Sequence, residues 1–70
     1  MSITITSSFD SMDQMKNTRE DLIGTGIPQE LIFLDEANLL IKVMSPLETE
    51  SEIEEILNRH HAKATRVSMH

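Results

Sequence analysis

Seventy residues, six of them Lys or Arg and twelve Asp or Glu, give the chain a formal net charge of −6 at neutral pH. A chain this short buries only about 60% of the surface its unfolded form exposes, so residues 1–70 make a single domain with a marginal core. With no cysteine present, disulfides, thiolate metal sites and thiol nucleophiles are excluded. The staple that a small scaffold needs is then a partner subunit, a histidine–carboxylate metal site or very good packing.

The negative charge repels phosphate backbones and anionic lipid, and Lys and Arg do not cluster, so neither nucleic acid nor a membrane surface is the expected partner. Phe9 and Phe33 are the only aromatic residues, too few to build base-stacking platforms. The longest unbroken aliphatic or aromatic run is LIFL (Leu31–Leu34), far below the roughly 20 residues that cross a bilayer. The opening MSITITSS lacks the basic and apolar regions of a secretory leader. A soluble, cytoplasmic protein is expected.

The first element, Ser2–Thr6, alternates Ile3 and Ile5 with Ser2, Thr4 and Thr6; β-branched residues at period two predict a half-buried strand. Ser11 followed three residues later by Gln14 forms a capping-box pattern, and Asp10 and Asp13 suit the positive end of a helix dipole. Met12, Met15, Leu22 and Ile23 then recur at helical spacing. At its exit, Gly26 suits a left-handed cap, Ile27 can fold back on the last turn and Pro28 blocks continuation, with Gly24 an alternative cap.

In Glu30–Met44 two apolar runs, LIFL and LLIKVM, flank DEAN, the pattern of a hairpin. Ser45, Pro46 and Glu48 predict a second helix with Ser as N-cap and Pro in its first turn. Ile53, Ile56, Leu57 and His60 form its apolar stripe, opposite Glu48, Glu50, Glu52, Glu54 and Glu55. In the last segment, Thr65, Val67 and Met69 alternate with Ala64, Arg66 and Ser68, which predicts a closing strand.

The order strand–helix–strand–strand–helix–strand, with right-handed crossovers, predicts an α+β fold: a ferredoxin-like βαββαβ arrangement with a four-stranded antiparallel sheet and both helices on one face. The other face is then open. With Leu39, Ile41 and Val43 inward, Leu40, Lys42 and Met44 point out. Taking Lys42 as the marker, Ile32 and Leu34 are assigned outward with them. Such side chains each contribute about 1.5–3 kcal/mol when buried, and monomers rarely expose four together. Ile32, Leu34, Leu40 and Met44 are therefore the expected interface of a homodimer packed sheet to sheet, or the docking site of a protein partner.

The adjacent His60 and His61 project about 100° apart on a helix, so they do not ligate one metal as an i, i+4 pair does. His60 falls on the apolar stripe, where it is expected to donate to a local carbonyl. His61 sits where the helix must stop, and histidine tolerates the left-handed conformation. A site joining His61, His70 and a glutamate is the alternative metal-binding reading. No Ser or Cys stands in a nucleophile setting, and Gly24-Thr25-Gly26 ends a helix where phosphate cradles begin one. No catalytic, cofactor-binding or metal-ligating residue is assigned, and no enzyme activity is expected.

Two stretches carry a family resemblance. GIPQELIFLDEANLLIKV (Gly26–Val43) resembles the Gly-Ile-Pro, polar residues, strand segment of small bacterial general-stress or heat-induced stress proteins. EILNRHHAKATRV (Glu55–Val67) resembles their helix end in Ile56, Leu57, Arg59, His60 and Ala62, with His61 where those proteins have glycine. DEAN leaves no room for the glycine-rich apolar insertion many of them carry, which tells against a membrane-linked role. The resemblance implies a small stress-associated α/β module and supplies no catalytic residues. Together these readings predict a non-catalytic interaction module, homodimeric or bound to another protein. The alternatives are a histidine-based metal binder and a small-molecule site or enzyme formed at a dimer interface.

Overall fold

A computed structural model describes residues 2–69. Its elements run β1 (Ser2–Ser8), α1 (Met12–Thr25), β2 (Ile32–Asp35), β3 (Leu40–Pro46), α2 (Glu50–Arg59) and β4 (Ala64–Met69), with short 3-10 turns at Gln29–Leu31 and Leu47–Thr49. The sheet order is β2-β3-β1-β4 and every pairing is antiparallel, as a ferredoxin-like βαββαβ chain requires.

The core lies between the sheet and the two helices. Ile3 and Ile5 of β1, Ile32 of β2, and Ile41 and Val43 of β3 meet Met15 and Leu22 of α1 and Ile53, Ile56 and Leu57 of α2, with Phe9 closing one end. Buried side-chain polar atoms all have hydrogen-bond partners among the described residues. The buried Thr18 hydroxyl donates to the Gln14 carbonyl at 2.7 Å, and the Ser7 and Thr65 hydroxyls bond across β1 and β4 at 2.9 Å.

The termini of α1 follow from local sequence. The Ser11 hydroxyl accepts the Gln14 amide at 3.2 Å, and the Gln14 side chain accepts the Asp10 amide at 3.1 Å, a reciprocal cap. Gly26 takes φ 117°, its amide reaches the Ile23 carbonyl at 3.0 Å and the Ile27 amide reaches Leu22 at 3.1 Å, the paired bonds of a Schellman ending. Helix α2 begins later than its Ser-Pro signal predicts. Ser45 is drawn into β3 by pairing with Ile3 and is buried there, and Pro46 ends the strand opposite Ser2. The Thr49 hydroxyl then donates to the Pro46 carbonyl across the intervening 3-10 turn at 3.0 Å.

Candidate functional site

The loop of the hairpin decides which side chains reach the open face. The hairpin closes on an Asp35–Leu40 pair, so the loop is residues 36–39, one position later than DEAN, with Leu39 at φ 54°. A loop with an even number of residues pairs even-numbered positions of β2 with odd-numbered positions of β3. Ile32 therefore faces Val43 and Leu34 faces Ile41, on the helix side, and Phe33 faces Lys42 on the open side.

This corrects half of the expected interface. Ile32 is 8% exposed and belongs to the core, and Leu34 packs against it. Leu40 and Met44 do point outward, and Met44 is 38% exposed. The outward residue of β2 that Lys42 should have indicated is Phe33, 49% exposed. Counting loop residues would have found it, because an outward Lys42 and an outward Ile32 or Leu34 are incompatible with any four-residue loop.

Across the open face the residues stand in rows. One row runs Phe33, Lys42, Thr6, Arg66 from β2 to β4; the next is Met44, Thr4, Ser68; on the other side lie Asp35, Leu40, Ser8, Ala64. Ser8 and Ala64 are small, so the sheet surface sinks between Leu40 and Arg66 into an open groove of about 320 Å³ lined also by Thr6 and Thr65. The charge of this face differs from that of the chain. Among the described strand positions it holds two cations, Lys42 and Arg66, and one acid, Asp35. That acid is turned into its own loop, accepting from the Asn38 side chain at 2.9 Å and the Asn38 amide at 3.3 Å. These bonds, Asn38's side chain first, and the charge of Lys42 hold its carboxyl below the usual range.

The histidines serve the helix layer. His61 takes φ 62°, the left-handed stop expected of it, and is exposed. His60 Nε2 lies 2.9 Å from Asp21 Oδ2 on α1, and Arg59 donates to the same oxygen at 3.2 Å. A carboxylate only accepts, so Nε2 carries the proton. The partner of His60 is thus a side chain on the other helix and not the local carbonyl expected. The His60 bond is the largest influence on the Asp21 carboxyl and lowers its pKa; burial opposes it, and the charges of Arg59 and His60 and the Arg59 bond add to the lowering. The cluster ties α1 to α2. Among the described residues no three His, Asp or Glu side chains converge as metal ligands, and His70, the third histidine of the metal reading, lies outside the described residues.

No helix among the described residues is long and apolar enough to cross a membrane. No protein-family model matches the chain, and neither curated proteins nor solved structures give a match.

Proposed function

We propose that this chain is a small non-catalytic interaction module that docks another protein on the open face of its sheet. The observation that carries the reading is the exposure of Phe33 and Met44 on a face that neither helix covers, beside a groove walled by Leu40. Covering each of these half-exposed side chains would contribute roughly 1–2 kcal/mol. The resemblance of Gly26–Val43 and Glu55–Val67 to small stress proteins supports a stress-associated setting.

The same geometry weighs against a homodimer stacked face to face. With Ile32 and Leu34 turned inward, the apolar area available to such a dimer is smaller than the sequence pattern promised. Stacking two identical faces would also bring two sets of Lys42 and Arg66 together in a desolvated layer. A different protein is the better match.

Site-specific photo-crosslinking tests the reading in extract of the native host. A photoreactive phenylalanine at position 33 or 44 is expected to form adducts of discrete mass, and the same group at Glu52, on the exposed side of α2, to form none. Absence of adducts at 33 and 44, or equal labelling from all three positions, would remove the basis for a docking face.

A further inference from the structure

Resting on that reading, we infer that the partner presents an acidic segment to this face, its carboxylates meeting Lys42 and Arg66 and an apolar side chain entering the groove beside Leu40. The chain deploys its cations in two ways. Arg19 sits 3.4 Å from Glu20, Arg59 is 3.2 Å from Asp21, and Lys63 is 3.4 Å from Asp10. Lys16 has no such pair among the described residues, yet it stands on the acidic helix α1 between Asp13 and Glu20. Lys42 and Arg66 are differently placed. Neither forms an ion pair among the described residues, and they flank Thr6 from both sides in one row of the sheet.

Adjacent strands are about 4.8 Å apart, so the two cations rise from backbone positions roughly 10 Å apart. Like charges at that spacing on a face with little counter-charge repel, and in a chain with twice as many acids as bases any exposed glutamate nearby would have relieved them. Apart from Asp35 at the end of β2, which feels the charge of Lys42 but is hydrogen-bonded into its own loop, the acids are on the helices, the turns and the hairpin loop, leaving an anion-seeking strip on an otherwise anionic molecule. The groove adds an apolar wall in Leu40 and hydroxyls in Thr6 and Ser8 next to the Arg66 guanidinium. Carboxylates interleaved with apolar side chains satisfy both features at once.

Nucleic acid, the other polyanion, fits less well. Phe33 offers one stacking surface where single-stranded binding uses several, and the net charge of −6 repels a long phosphate chain. A second copy could bring acids to this face only from its helices, turns or hairpin loop, in a head-to-tail contact. That contact differs at its two ends and builds rings or filaments in place of a two-fold dimer.

The test is an amide-resolved NMR titration of the full chain at low salt with three probes. These are a short peptide alternating glutamate with leucine, the same peptide with glutamine for glutamate, and an oligouridylate. The glutamate peptide is expected to shift Thr6, Phe33, Leu40, Lys42 and Arg66 selectively and to weaken as salt is raised. Its affinity should fall at least about tenfold in the double variant Lys42→Glu/Arg66→Glu and stay within about threefold in Arg66→Lys. Undisturbed amide spectra of the free variants establish that both remain folded.

Equal binding of the glutamine peptide would overturn the acidic partner while leaving a docking face intact. No shift with any probe would overturn it too, and the crosslinks from positions 33 and 44 then report separately on whether the face docks anything. Shifts at these residues with oligouridylate alone would assign the strip to nucleic acid. Line broadening that grows with protein concentration, without any probe, would assign it to self-assembly.

Discussion

Replacing each of the two glycines by alanine should change stability in opposite directions, although the chemical change is identical. A Cβ built at Gly24 or at Gly26 meets no heavy atom within 4 Å, so neither substitution creates a clash and backbone conformation alone decides the outcome. Gly24 lies inside α1, where alanine is favoured by about 0.5–1 kcal/mol, with the lower figure apt so near the helix end. Gly26 sits at φ 117°, where a Cβ costs about 1–2 kcal/mol, offset by about 0.4–1 kcal/mol from the reduced freedom of the unfolded chain. Gly24→Ala should therefore raise stability by about 0.5 kcal/mol and Gly26→Ala lower it by about 0.5–1.5 kcal/mol. For a domain of this size 1 kcal/mol moves the melting temperature by about 4–8 °C. Urea unfolding followed by circular dichroism, with both variants and the parent at one pH, resolves the gap. Changes of the same sign in both variants would refute the assignment of Gly26 as the left-handed stop of α1.

Asp21→Asn should cost about 0.5–1 kcal/mol at neutral pH, a figure kept small because both partners of the carboxylate are partly solvated. The folded-state pKa of Asp21 is depressed, so its contribution is present above the unfolded value and vanishes as pH falls through the folded one; the difference from the parent should close on acidification. A gap that persists unchanged to strongly acid pH would show that the carboxylate does not link the helices. Leu22→Ala removes a fully buried side chain at the junction of α1 and the core and should cost about 2–5 kcal/mol, enough to leave a large unfolded fraction by circular dichroism at room temperature. His61→Gly, at φ 62°, should raise the urea midpoint by relieving left-handed strain worth about 1–2 kcal/mol, reduced by glycine's greater freedom when unfolded; a lower midpoint would mean that the His61 side chain holds the turn.

The succession of elements and the stops between them are legible in the residues alone. These are written in contacts between residues five or fewer apart: the Ser11–Gln14 cap, the Gly26-Ile27-Pro28 exit, the left-handed His61, and the period-two alternation of Ile3 and Ile5. Six such elements in this order admit few right-handed topologies, so the ferredoxin-like sheet could be deduced. The face presented by β2 needs one further count. LIFL is apolar on both sides, so no alternation marks its inner face, and the choice passes to the number of residues in the hairpin loop, which is four whether the loop is DEAN or residues 36–39. An outward Lys42 then requires Phe33 outside and Ile32 and Leu34 inside. Tertiary pairing turns Ser45 from a helix cap into a strand residue, because its partner Ile3 is 42 positions away and that pairing overrides the local Ser-Pro signal. The same holds for the surface chemistry. Lys42, Thr6 and Arg66 become neighbours only when β1 inserts between β3 and β4, and Asp21 meets His60 only when both helices settle on one side of the sheet. Nothing local to any of these residues encodes the meeting, since it is burial of the shared core that brings them together.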